Sequence, residues 1–163
     1  MTGRYSTLPP IVKAITVRQP FASAIVAGVK TVENRTWRTS HRGPLLVHAA
    51  AGSELPTVAP NVVAALERHA RAIGDRPRGV IIGIVTLVDV VRVSGGEVED
   101  DEWAVGPWCW VLRDAIRFAD PVPYRGALSL FGVGREVFGS TLNQSTYPWR
   151  AIPSNGFDIA EQV

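Results

Sequence analysis

Lys30, Glu33 and Arg35 lie within six positions of one another in a chain of 163 residues whose seventeen basic residues include only two lysines. Pro20 suits the first turn of a helix. Ala22, Ile25 and Val26 supply its apolar stripe and Gly28 stops it, so a short helix is expected over about Phe21–Ala27. Lys30 then emerges beside the negative C-terminal end of that helix. From Thr31 to Trp37 the side chains alternate, with Thr31, Glu33 and Arg35 on one face of a predicted strand and Val32, Asn34 and Thr36 on the other. An ammonium so placed can hold a phosphate, or become a proton-transfer group if burial lowers its pKa. Paired with Glu33 it can also assist acyl hydrolysis, or form a satisfied ion pair lining a pocket. The plain alternative for Lys30 is a surface cation complementing the helix dipole.

Other candidates surround this group. Arg18, Arg35, Arg38 and Arg42 give the segment a basic face, and arginine's planar fork suits phosphate and base edges. Trp108 and Trp110 share one face of a predicted strand, with Cys109 on the other. With Trp37 they are the aromatic candidates for stacking on a nucleobase, although indoles in a small barrel are commonly core. Asp89, on the long central strand, is the carboxylate partner to consider if the protein is an enzyme, with Lys30 and Glu33. Its alternative is an edge hydrogen bond or ion pair. His48 ends an apolar strand and reads as a satisfied core residue, and Cys109 as buried and inert. His41, His48 and His69 lack metal-ligand spacing, and no Cys-x-x-Cys, Walker, Gly-x-Gly-x-x-Gly or Gly-x-Ser-x-Gly pattern occurs. The expectation is no metal and no cofactor.

The elements that must position these residues follow from periodicity. Strands are expected at Ile11–Val17, Thr31–Trp37, Leu45–Ala50, Gly79–Val93 with a bend at Gly83, Trp108–Phe118 and Ala127–Gly132. A second helix, capped by Asn61 and stopped by Gly74, carries Val62, Val63, Leu66, Ala70 and Ile73. The acidic run Glu97–Glu102 is expected as a solvated loop. Few helices among short strands, without a β-α-β rhythm, point to a small, partly closed β-barrel decorated by helices.

Three stretches resemble a known family. They are Val17-Arg18-Gln19-Pro20-Phe21-Ala22 with Ile25 to Trp37, Arg42-Gly43-Pro44-Leu45-Leu46-Val47-His48-Ala49, and Gly83 to Asp89. Together with Gly106-Pro107-Trp108-Cys109-Trp110, Arg117 and Pro123-Tyr124-Arg125-Gly126 they resemble the ASCH (activating signal cointegrator homology) domain, a branch of the PUA-like β-barrels. The resemblance implies an α+β, mainly β fold: a PUA-like, partly closed barrel of about six strands with two or more flanking helices. It spans about residues 11–135, with 1–10 as a lead-in and 136–163 as a C-terminal extension. It also implies RNA or a nucleotide or nucleoside as ligand, DNA being the alternative, in a basic cleft between the first helix and the barrel. Arg18, Lys30, Glu33, Arg35, Trp37, Arg42, Trp108 and Trp110 are its candidate residues. Some members resemble amidohydrolases for acetylated cytidine and others are assigned RNA cleavage. In the former a threonine stands three residues after the lysine, where this chain has Glu33.

The total charge of +2 conceals an asymmetry. Residues 1–80 hold eleven basic and four acidic residues, and residues 81–163 hold six and eleven. The basic first half would attract a polyanion, the alternative being that the basic and acidic halves attract each other within one domain. One cysteine excludes a disulfide framework. The start Met1–Pro10 lacks an apolar leader and no stretch suits a membrane span, so a cytoplasmic protein with no membrane partner is expected.

Overall fold

The computed structural model describes residues 8–52, 57–94 and 98–141. Its elements in chain order are β1 (Ile11–Val17), α1 (Phe21–Val26), β2 (Val32–Arg35), β3 (Gly43–Ala49), α2 (Pro60–Arg68), α3 (Ala70–Ile73), β4 (Val80–Arg92), β5 (Trp108–Pro123), β6 (Phe131–Gly134) and α4 (Arg135–Phe138). The strands form one mixed six-stranded sheet ordered β2-β5-β4-β3-β1-β6. Only β1 and β3 run parallel, because the chain between them crosses over through α1 and β2; the other neighbours are antiparallel. The fold is mainly β with a few helices, as expected, and the sheet is not fully closed.

The sheet nonetheless curls. From β2 to β1 is four inter-strand steps, about 19 Å if the sheet were flat. Yet Arg35 Nη2 on β2 donates to the carbonyl of Thr16 on β1 at 2.7 Å. One side chain spans that gap only because the two strands face each other across an open seam.

The two faces of the sheet carry separate cores. Ile15, Val17, Leu45, Val47, Leu87, Trp110 and Leu112 pack beneath α1 through Ala22, Ile25 and Val26. Val12, Ala14, Leu46, Ile84 and Phe118 pack on Leu8, Val133 and Phe138. Gly83 lets α1 seat closely, since a Cβ there would lie 2.3 Å from the Ile116 carbonyl oxygen and 2.6 Å from Val26 Cγ1. The pairing of β4 with β5 shifts register beside it, at the position where the bend is expected, while β4 runs on as one strand. A third cluster joins Val32, Cys109 and Val111 to Val62 and Ala65 of α2 and to Val98 and Trp103.

Several boundaries differ from the sequence expectation. The second strand covers only Val32–Arg35, since pairing with β5 ends at Trp108. The single helix expected from Asn61 is two: α2 starts at Pro60 behind an extended Ala59, and His69 (φ −100°, ψ 7°) leaves helical geometry before α3. The last strand is Phe131–Gly134 rather than Ala127–Gly132, because Ser129 takes a positive φ of 60° and only residues from Phe131 onward pair with β1. The acidic run is not simply solvated. Val98 and the adjoining Trp103 are buried, while Glu102 meets Arg68 and, at 2.9 Å, His69 Nε2; Glu97 lies outside the described residues. At the start of the expected C-terminal extension, Phe138 is fully buried against Phe118.

Candidate functional site

The seam between β2 and β1 opens into a cavity of about 540 Å³. Thr16 and Val17 of β1 form one wall and Glu33, Asn34 and Arg35 of β2 the other. Arg18 and Phe21 enter from the start of α1, Val62 from α2, Trp103 and Val105 from the loop before β5, and Ala127 to Ser129 from the loop before β6.

Lys30 is delivered to this cavity by Gly28, whose φ of +80° turns the chain out of α1 and lets the Lys30 amide bond the Ala24 carbonyl at 3.1 Å. The Lys30 side chain is only 3% exposed. Its ammonium donates to Glu33 Oε2 at 2.9 Å and to the Val32 carbonyl, and lies 5.6 Å from the centre of the Phe21 ring. Arg35 Nε stands 3.5 Å from Glu33 Oε1, close enough for ion pairing but without hydrogen-bond geometry. Glu33 thus sits between two cations, with one oxygen bonded to Lys30 and the other holding lone pairs for a donor entering the cavity. Arg18, exposed, is a third cation among the residues that line the cavity.

Asn34, on the opposite side of β2 from Glu33, brackets the loop that brings Trp103. Its Oδ1 accepts from the Val105 and Gly106 amides at 2.8 and 2.9 Å, and its Nδ2 donates to the Trp103 carbonyl at 2.8 Å. Trp103 Nε1 donates to the Val29 carbonyl at 3.0 Å, so the indole is fixed beside the Lys30 segment. Thr16 is also among the residues that line the cavity, and its hydroxyl contacts the Ala127 carbonyl at 3.4 Å. Thr16 Oγ1 lies 3.2 Å from His48 Nδ1, and His48 Nε2 donates to the Tyr124 carbonyl at 2.7 Å. The register of parallel β1 and β3, which sets Thr16 opposite His48, puts both on one face.

Arg18, Lys30, Glu33 and Arg35 therefore share one cavity, whereas the other candidates do not line it. Trp110 is fully buried, in T-shaped contact with Trp37 at 4.8 Å between ring centres, and leaves no ring surface open to a ligand. Trp108 lies outside, with the guanidinium carbons of Arg38 and Arg92 at 5.1 and 4.6 Å from its ring centre. Asp89 pairs with Arg42 at 3.4 Å, away from the cavity. The aromatic walls are instead Phe21 and Trp103, and neither they nor Thr16 carry a local sequence signal of that role. Among the described residues no group of three or more His, Cys, Asp or Glu side chains is placed to hold a metal ion. No helix among them is long and apolar enough to cross a membrane.

The matches to known proteins agree with the family resemblance. The ASCH domain model matches residues 15–122, and the chain belongs to the ASCH domain family. It is 35% identical over 79 residues to human activating signal cointegrator 1 and 36% over 83 residues to the mouse protein. Each match covers 46% of this chain but only 14% of the relative's length. Among solved structures it is similar to ASCH from Zymomonas mobilis, at 19% identity and a TM-score of 0.45, covering 78% of this chain and 90% of that one.

Proposed function

We propose that this chain binds RNA through one nucleotide unit, or binds a free nucleotide or nucleoside, in the seam cavity. The observation that carries this reading is the buried Lys30–Glu33 pair with half-buried Arg35 beside it, inside a cavity of about 540 Å³, within the range of small-ligand sites. Glu33 Oε1 accepts an exocyclic amine or ring N–H. Arg18 and Arg35 favour a phosphate, and Phe21 and Trp103 supply apolar walls for the base. Titration calorimetry with cytidine, cytidine monophosphate and a short single-stranded RNA tests it. The monophosphate is expected to bind more tightly than the nucleoside, with a salt-dependent margin that Arg18→Ala reduces. No heat with any of the three overturns the reading.

A second reading, hydrolysis of an acyl group on a modified nucleoside, is favoured by two contacts. Lys30 and Glu33 form a buried amine–carboxylate pair, and the Thr16 hydroxyl faces a histidine whose other nitrogen is held by a carbonyl. Glu33 occupies the place where the amidohydrolase-like members carry threonine, so Thr16 is the hydroxyl to test. Acetate release from acetylated cytidine, lost in Glu33→Gln and in Thr16→Val, is the outcome this reading requires.

A further inference from the structure

Trp108 and its two arginines are left unused by the cavity. Trp108 starts β5 with Arg35 opposite it on β2 and Arg92 opposite it on β4. Residues directly opposed across a sheet point to the same face. Arg35, Trp108 and Arg92 thus make one cross-strand row, about 10 Å long over two strand spacings. Arg38, from the segment after β2, sets its guanidinium over the same indole.

The row is cationic and uncovered. Arg38 and Arg92 are exposed, Trp108 is half-buried, and among the described residues neither arginine meets a carboxylate. Among the described residues, the nearby acidic segment makes no ion pair with them. Its anchors Val98 and Trp103 pack with Cys109, Val111 and Val32, on the alternate face of β5 and β2. Glu102 of that segment is engaged by Arg68 and His69. Asp89, at the same end of the sheet, is held by Arg42. Two guanidinium groups resting on one indole lose little rotamer freedom on meeting an anion, and they keep their hydrogen-bonding edges outward.

From this we infer that Arg38, Trp108 and Arg92 form a track for the phosphodiester backbone of a single-stranded nucleic acid, leading outward from Arg35 at the cavity wall. The inference rests on the reading that the cavity takes one nucleotide unit. It adds that the units beside it run over Trp108, so an oligonucleotide binds more tightly than any mononucleotide. The ligand is recognised by repeated phosphates and a flat base, chemistry shared by RNA and single-stranded DNA.

The test measures fluorescence anisotropy of a labelled single-stranded RNA of about ten nucleotides over a salt series, in wild type and in Arg38→Gln/Arg92→Gln. Calorimetry with cytidine monophosphate runs in parallel. The double variant is expected to bind the RNA at least about ten-fold more weakly and to flatten the slope of log K against log salt by about 1.4, two phosphate contacts at about 0.7 each. Its affinity for cytidine monophosphate is expected to be unchanged. Arg38→Lys/Arg92→Lys is expected to keep the salt slope while losing affinity, since lysine retains charge without the planar stack. Comparable binding of a DNA of the same length supports backbone recognition.

RNA affinity and slope unchanged in the glutamine variant would overturn the track, as would displacement of the RNA by an equal charge of polyglutamate. Mononucleotide binding without RNA binding overturns the track and leaves the cavity reading standing. RNA binding that Arg38→Gln/Arg92→Gln abolishes but Glu33→Gln leaves intact supports the track and removes the cavity from its path.

Discussion

Glu33 is the residue on which the electrostatics of the seam turn. Lys30 is 3% exposed and has no other carboxylate partner among the described residues. Removing Glu33 strands a buried ammonium beside the Arg35 guanidinium. Glu33→Ala is therefore expected to cost about 3 kcal/mol of stability, measured by urea denaturation. Glu33→Gln, which keeps an acceptor for Lys30, is expected to cost less. Cys109 makes a contrasting case. Burial pushes its thiol up, with Asp101 adding to the rise and the Gly106 backbone hydrogen bond and Lys30 opposing it. Little thiolate forms near neutrality, so the folded protein is expected to resist a thiol reagent at pH 8 and to react fully once unfolded. The grouping of Lys30, Glu33 and Arg35 was legible because it follows from a few consecutive positions leading from the end of α1 into β2, and buried Cys109 because its two tryptophan neighbours mark an apolar stretch of β5. Trp103 and Thr16 were not, since each reaches the cavity through contacts distant in sequence: Asn34 holding the loop at Trp103, and β1 curling round to face β2.

At the scale of elements, β4 and α1 depend on one missing methyl group. A Cβ at Gly83 would meet the Ile116 carbonyl oxygen at 2.3 Å, and backbone on a paired strand cannot yield as a side chain would. Gly83→Ala is expected to cost about 3 kcal/mol in urea denaturation. A milder effect is expected from the segment leading into β3. Burial lowers the pKa of His41 below its ordinary 6.5, and Lys13 and Arg42 lower it further against the Pro44 carbonyl, which raises it. The unfolded chain then takes up this proton more readily than the folded one. The contribution is fully present above pH 6.5 and is lost as pH falls through the folded value. His41→Gln is expected to make the melting temperature fall less between about pH 7 and pH 5. The strands were legible where the apolar run is long, as in Val80–Arg92. They were not where pairing decides the limits. Ala127–Gly132 reads as a strand in the sequence, but only Phe131 onward finds β1, and the helical spacing of residues 61–73 hides the break at His69.

At the scale of the molecule, the sheet has an inside and two ends. β4 lies between β3 and β5 and pairs along nearly its whole length, whereas β2 is four residues long and hydrogen-bonds β5 alone as a strand. Amides of β4 and of the central part of β5 are expected to exchange most slowly, at the free energy of global unfolding, and those of β2 and β6 much faster by local opening. The cavity lies where the short end strand β2 faces β1, with Arg35 as the described side-chain hydrogen bond across the seam. A ligand seated there touches both walls, as well as the loops carrying Trp103 and Ala127 to Ser129. It binds the closed seam better than an open one and suppresses opening by about 2.7 kcal/mol at a hundred-fold excess over Kd. Hydrogen exchange with and without cytidine monophosphate should therefore show slowing concentrated in β2 and in residues 103–106, with β4 changed least. Slowing confined to β6 and α4, on the far side of β1, would place the ligand elsewhere.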